Sequence, residues 1–264
     1  MYHGKTIGVV IPAHNEAPSI NGVINDLHQL GEIVDHIVVC DNASTDATAE
    51  IATTASATVV HESQKGYGAA CLRALKALPE DVDWIVFVDG DGAMLASDLP
   101  RLLETLADGA QLVIGSRTLG ELEGRLQQGA LTPHQRWGNW LAARLLTAIW
   151  LRKTNKVVTD LGPFRAISRA DLNYINMQDE AYGWTVEMQA KALDAGMNVV
   201  EIPVASLCRL GTSKISGTWR GSIGASMGIL GTLFNIGIPA LWAQLLQSIN
   251  IESRPKDSLW KKPS

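Results

Sequence analysis

Between Thr6 and Arg117 the chain five times passes through a short apolar run, breaks into a polar cluster and then enters a stretch of helical length. The runs are "TIGVVIP", "HIVVCD", "ATVVHE", "DWIVFVD" and "QLVIGSR"; the stretches between them are Ala17 to Leu30, Thr45 to Thr54, Gly66 to Leu78 and Ala96 to Asp108. Short strands alternating with helices of that length predict βαβ units and a mostly parallel sheet. The expected fold class is therefore α/β, a single twisted sheet flanked by helices. In such sheets ligands bind outside the carboxyl ends of the strands.

Polar residues stand at that end of every expected strand: "AHNE", "DNASTD", "ESQKGYGAA", "DGDG" and "GSR". A single such cluster would mean little, because Asp, Asn and Ser often only cap the next helix, a role open to Ser44 and Asp46. Five converging on one edge describe a site. In "WIVFVDGDG" the apolar run ends in Asp89 and Asp91, separated by Gly90. Residues two apart share a face of an extended chain, so the carboxylates crowd and repel, and the usual remedies are a raised pKa or a bound cation. A divalent cation explains both spacing and position. Oxygen ligands favour Mg²⁺ or Mn²⁺, which retain waters and bridge to substrate phosphates.

Asn15 and Glu16 after the first strand and Asp41 after the second fit a nucleotide site, with Pro12 shaping the turn; helix capping by Asn15 and Glu16 is the alternative. The glycines of "KGYGAA", among them Gly68, would let backbone N–H groups approach a ligand. There is no G-x-x-x-x-G-K-[ST], which excludes a P-loop, and no G-x-G-x-x-G after the first strand, which disfavours a dinucleotide fold.

The second half opens with an expected helix from Pro133 to Leu151, then "DLGPFRAIS" as a short strand or turn, a helix from Trp184 to Ala195, and the late strand "NVVEIPV". A net charge of −5 supplies no global basic field, so a nucleic-acid partner is not expected. The three cysteines are widely spaced and odd in number, which suits a reducing cytoplasm rather than a disulfide framework. The first apolar run turns polar too quickly for a secretory signal.

From Gly221 to Ile251 the chain carries no Lys, Arg, Asp or Glu. A bilayer takes roughly 20 apolar residues, but this run is dilute in strongly apolar side chains, and Pro239 is expected to divide it into two helices. Three readings stay open: a helical pair resting on a membrane, a buried or homo-oligomer-forming hairpin, and a span. The tail "KDSLWKKPS" suits a cytoplasmic membrane surface. The expected organisation is a catalytic domain over 1–219, an apolar helical extension over 220–252 and a basic tail over 253–264.

The ordered set "IPAHNE", "DNASTD", "KGYGAA", "VDGDG", "GSR", "TDLGPFRAIS", "GWTVEMQAKAL" and "RLGTSKISG" resembles the family 2 glycosyltransferases over about residues 5 to 220. The likeness is to the branch containing dolichol-phosphate mannosyltransferases and related polyprenyl-phosphate sugar transferases. It implies a GT-A fold, a UDP- or GDP-sugar donor, Mg²⁺ or Mn²⁺, inversion at the anomeric carbon, and a polyprenyl phosphate acceptor met at the cytoplasmic face of a membrane; a soluble hydroxyl acceptor is the first alternative, followed by a sugar nucleotidylyltransferase and a non-catalytic sugar-nucleotide-binding subunit. Carried over by position, Asp89 and Asp91 resemble the metal-binding pair, and Pro12, Ala13, Asn15, Glu16, Asp41, Gly68 and Gly90 join them at the nucleotide sugar. Arg117, Arg209 and Lys214 resemble the basic side chains that face phosphates, and Asp91, Arg117 and Asp160 the catalytic set. Asp160, or secondarily Glu187, would be the base for a hydroxyl acceptor; an ion pair of Asp160 with Arg165 is the structural alternative. Glu187 and Lys191 have the spacing of an ordinary helix pair. Ala93 stands where some relatives carry a metal-binding side chain, and the Q-x-x-R-W signature of processive synthases is absent.

Overall fold

The five apolar runs become β1 (Ile7–Ala13), β2 (His36–Asp41), β3 (Thr58–His61), β4 (Trp84–Phe87) and β5 (Leu112–Ser116). The computed structural model describes residues 1–210 and 231–242 together with Leu246. Two further strands, β6 (Arg165–Ser168) and β7 (Val199–Pro203), complete a seven-stranded sheet of order β3-β2-β1-β4-β6-β5-β7. The chain winds outward from β1 in one direction through β2 and β3, then crosses to the other side of β1 with β4. That reversal opens a crevice at the carboxyl ends of β1 and β4, where a ligand site belongs in an open α/β sheet.

The strands read as near-continuous apolar runs because both sheet faces are covered. Val10, Val38, Ile85 and Phe87 point into a core with Trp150 and Trp184, both almost wholly buried. Ile7, Val9, Ile11, Val39 and Val86 point the other way, onto Leu99, Leu102 and Leu103. The covering helices are α1 (Ile20–His28), α2 (Thr48–Thr54), α3 (Tyr67–Leu75), α4 (Leu99–Ala107), α5 (Arg117–Leu122), α6 (Pro133–Thr154), α7 (Arg169–Ile175) and α8 (Trp184–Asp194). Helix α6 starts where Pro133 predicts: Thr132 and Gln135 form a reciprocal capping box, and Asn155 ends the helix with φ 52°. The short helices α5 and α7 were not expected. Each begins at a serine, Ser116 or Ser168, whose hydroxyl accepts the backbone N–H three residues on.

The sheet is mostly parallel, as expected, with one exception: β6 runs antiparallel to both neighbours, β4 and β5. The cause lies at the site end. Asp160, just before β6, is bonded to Arg117, the first residue beyond β5. The chain therefore enters β6 from the carboxyl edge and must run back down the sheet.

Part of the uncharged extension falls within the described residues. A helix over 231–242, α9, runs without a break through Pro239, so this proline does not divide it. Proline removes one i to i−4 hydrogen bond, and the helix carries that loss while packed on α6. Leu233 and Ala240 are buried, Gly237 lies so close to α6 that a Cβ there would sit 2.7 Å from Ile149 Cδ1, and Thr232 Oγ1 donates to Asp179 Oδ2 at 3.2 Å. Phe234, Ile238, Leu241 and Trp242 line the opposite, exposed side. No helix among the described residues is long and apolar enough to cross a membrane. The basic tail and Lys214 lie outside the described residues.

Candidate active site

A cavity of about 270 Å³ opens at the carboxyl ends of β1 and β4. Of the residues singled out in the sequence, Pro12, Ala13, Glu16, Asp89, Gly90, Asp91 and Arg209 line it. His14, Asn42, Lys65, Tyr67 and Tyr182 line it as well and were missed.

Asp89 and Asp91 both line the cavity, although the chain there has left β4 and turns at Gly90 and Asp91 rather than staying extended. Burial, then repulsion from Asp91, raises the Asp89 carboxyl from 3.8 to about 7. Tyr67 opposes that rise by donating its hydroxyl to Asp89 Oδ1 at 2.9 Å. Burial holds the Tyr67 phenol well above its usual value, with Asp89 adding to the effect, so it remains a donor. Asp91 Oδ1 accepts the Ala93 N–H at 2.9 Å, which leaves Oδ2 facing Arg209 Nε at 3.8 Å. Among the described residues no three or more His, Cys, Asp or Glu form a metal-holding group. The fit is instead to a cation held by two carboxylates, its remaining positions taken by water and ligand oxygens, which is how Mg²⁺ and Mn²⁺ commonly bind.

Beside the cavity, Ala13 pairs in register with Asp41 at the ends of β1 and β2. Asp41 is buried; its Oδ2 contacts His61 Nδ1 at 3.1 Å, while Oδ1 is buried with no hydrogen-bond partner. A buried acceptor of that kind suits a ligand N–H or hydroxyl. Asn42, next in sequence, donates to the Glu62 and Gln64 carbonyls and accepts the Gly66 N–H at 2.8 Å, fixing the loop that carries Lys65.

Several assignments change. Asn15 has φ 55°, gives its N–H to Ser44 Oγ and accepts the Thr45 N–H on Oδ1 at 2.7 Å, so it joins the loops after β1 and β2. It is not the cap of α1, which Ser19 precedes. Gly68 does not present its N–H to the cavity: that group donates to Ala181 O at 3.0 Å, and a Cβ would lie 1.8 Å from Asp179 O. Gly66, which lines the cavity, and Gly68 both admit the backbone of 179–181, and that loop in turn brings Tyr182 to the cavity wall.

Asp160 is fully buried and pairs with Arg117, not Arg165. Arg117 donates Nε to Oδ2 at 3.0 Å and Nη2 to Oδ1 at 2.7 Å, and its backbone N–H also reaches Oδ2. Burial would raise this carboxyl, but the charge and hydrogen bonds of Arg117 outweigh burial and hold it below its usual range. A carboxylate so engaged is a weak base. Glu187 is likewise committed, accepting the Gln178 and Asp179 N–H groups and pairing with Lys191 at 2.6 Å as its spacing predicts. Arg165 is buried and bonded to the Gly162 and Thr185 carbonyls.

A second cavity, of about 390 Å³, lies between α5, α6 and residues 157–159. Thr118 and Thr159, the chain neighbours of Arg117 and Asp160, line it together with Arg136, Arg144 and Trp140. Arg136 pairs with Glu121 at 2.7 Å, and Arg144 stacks over Trp140 at 5.6 Å. The positive charge of Arg117 is felt at Asp89 and lowers its pKa, and Thr118, the residue after Arg117, lines the second cavity.

The family model described as Glycosyl transferase family 2 matches residues 8–175. An uncharacterized glycosyltransferase of Mycobacterium tuberculosis is 35% identical over 225 residues, covering 83% of this chain and 94% of that protein. The undecaprenyl-phosphate mannosyltransferase of Micrococcus luteus is 30% identical over 222 residues, covering 79% of this chain and 86% of the relative. Among solved structures, the glucosyl-3-phosphoglycerate synthase of Mycobacterium tuberculosis, in complex with Mn²⁺, UDP and phosphoglyceric acid, superposes with a TM-score of 0.69 at 25% identity. That match covers 88% of this chain and 78% of the synthase.

Proposed function

From the premise that this chain belongs to glycosyltransferase family 2, with the GT-A fold of its structural neighbours, we propose that it transfers a hexose from a UDP- or GDP-sugar to a polyprenyl phosphate. The observation that carries the reading is the Asp89–Asp91 pair just beyond β4, which faces a cavity with Arg209 and in which the Asp89 carboxyl is raised in pKa. In this reading Asp89 and Asp91 would hold Mg²⁺ or Mn²⁺, which would supply charge neutralisation for the departing diphosphate. Asp41 Oδ1 accepts from the nucleoside, Pro12 and Ala13 floor its site, and Arg209 faces the diphosphate. Tyr67 keeps Asp89 oriented and closer to ionisation.

The acceptor occupies the second cavity, with its phosphate toward Arg117. A phosphate monoester has a second pKa of about 6, so its oxygen attacks the anomeric carbon without a protein base, opposite the leaving nucleotide and with inversion. Asp160 then serves by fixing the guanidinium of Arg117. The lipid reading is supported by the name of the Micrococcus relative and by the apolar stripe of Phe234, Ile238, Leu241 and Trp242, which would rest on a cytoplasmic membrane face. Residues 1–219 then form the catalytic unit and 220–252 its membrane-resting extension. A soluble acceptor is the second reading, favoured by the phosphoglyceric acid in the synthase structure.

The test incubates the full chain with UDP-glucose, UDP-galactose or GDP-mannose and a short polyprenyl phosphate, with Mn²⁺ or EDTA, and identifies products by mass spectrometry. A cation-dependent glycosylated lipid is expected. Transfer to phosphoglyceric acid with no lipid product would move the assignment to the soluble acceptor, and no cation-dependent turnover of any donor would overturn it.

A further inference from the structure

Arg209 reaches the cavity between two carboxylates. Its Nη2 donates to Glu16 Oε1 at 2.8 Å, while its Nε lies 3.8 Å from Asp91 Oδ2, outside hydrogen-bond range. That Nε is buried and has no hydrogen-bond partner. Both backbones are anchored. Leu210 donates its N–H to Asp91 O at 3.0 Å, Leu207 to Ala93 O at 2.8 Å, and Cys208 to Gln127 Oε1 at 2.7 Å, which straps 207–210 along the segment carrying Asp91. Glu16 gives its own N–H to Thr48 Oγ1 at 2.8 Å and its carbonyl accepts the N–H groups of Ser19 and Ile20. With both chains fixed, the guanidinium has a choice of two carboxylates, and it is hydrogen-bonded to Glu16.

A guanidinium and a divalent cation compete for Asp91, since each neutralises it and each repels the other. A doubly charged ion binds carboxylate oxygen at about 2.1 Å, so its attraction far exceeds that of a single charge at the distance Arg209 keeps. Once such an ion is in place, Arg209 loses its electrostatic tie to Asp91 and retains the one to Glu16. We propose that Glu16 is a positioning residue: it holds the Arg209 guanidinium off Asp91, so that a divalent cation can enter between Asp89 and Asp91, and keeps that guanidinium at the cavity wall for the donor's diphosphate. This rests on the reading of Asp89 and Asp91 as the cation-holding pair.

The test titrates Mn²⁺ alone into the full-length chain, reading free ion by electron paramagnetic resonance, with folding followed by circular dichroism. Glu16→Gln removes the charge that restrains the guanidinium, which then falls onto Asp91, and the apparent Mn²⁺ dissociation constant rises about 2- to 5-fold, the factor that an ion pair worth ~0.5 to 1 kcal/mol carries. Adding Arg209→Gln to Glu16→Gln returns the constant to the wild-type value or below it, because the competitor is gone. A purely structural role for Glu16 would show no such rescue. In the otherwise native chain, Arg209→Gln alone binds Mn²⁺ at least as tightly as wild type but UDP more weakly, which keeps the proposal testable if the Glu16 variant does not fold. Unchanged Mn²⁺ binding in Glu16→Gln, or a double variant no better than the single, would overturn it. Failure of the underlying reading looks different: Asp91→Asn would then bind Mn²⁺ as well as wild type.

Discussion

Asp89 is ordinary by composition and unusual by position. Its raised pKa means that the folded chain holds a proton there more tightly than the unfolded chain between pH 3.8 and about 7. The sign follows: the contribution of Asp89 to stability falls as pH climbs through that window. In EDTA, the unfolding midpoint of Asp89→Asn should therefore gain on wild type from pH 4 to pH 7, and Mn²⁺ should close the gap near and above pH 7; a pH-independent difference would contradict it. Asp91→Asn should abolish cation-dependent transfer while leaving the circular dichroism spectrum intact. Tyr67→Phe deletes the hydrogen bond that favours ionised Asp89; at ~1.5 kcal/mol for a bond to a charged group, Mn²⁺ binding near neutral pH should weaken about 10-fold. The pair of aspartates was legible because two carboxylates flanking a glycine close an apolar strand run, which the sequence shows directly, although a turn at Gly90 and Asp91 rather than an extended chain brings both to the cavity. Tyr67, inside the quoted "KGYGAA", was not, because nothing in the string shows that its hydroxyl reaches a residue 22 positions away.

At the scale of elements, the glycines that open α3 show how a correct observation can carry the wrong cause. Their spacing announced a close approach, and the approach is real, but the visitor is the chain's own 179–181 backbone. Gly68→Ala should push that loop and Tyr182 outward, lowering the unfolding midpoint and raising KM for the donor more than it lowers kcat. The buried Arg117–Asp160 pair joins α5 to the approach of β6. Asp160→Asn leaves Arg117 without its counter-charge, and breaking such a pair costs about 3 to 5 kcal/mol, which denaturant unfolding would measure. The six strand runs that carry their own apolar pattern were readable. The direction of β6 was not, since it follows from a tie between residues 43 positions apart, and α5 and α7 are too short to show a period.

For the molecule as a whole, α9 packs one side on α6 and leaves Phe234, at 59% exposed, and Trp242, at 62%, on the other. Changing both to Ser touches no buried contact of the catalytic unit and should cut co-sedimentation with anionic vesicles while donor hydrolysis in detergent is retained. Loss of hydrolysis as well would place the stripe in the fold rather than at a surface. The uncharged run was visible in the sequence, but whether its apolar residues would fall on one side or two was not, because Gly237 and Pro239 blur the helical pattern until α6 supplies a surface for it.

The reversed strand β6 has a temporal meaning. β4 and β5 follow one another in the chain yet never pair; β6 is wedged between them. A growing chain that has emerged only as far as α6 holds β1 to β4 as one sheet and β5 as a ribbon with no neighbour on either side. Only when residues 165–168 arrive, followed by β7, does the second half of the sheet acquire its hydrogen bonds. The edge of β4 that awaits this wedge is apolar and unpaired until then, and it is the surface a nascent chain would need shielded during synthesis.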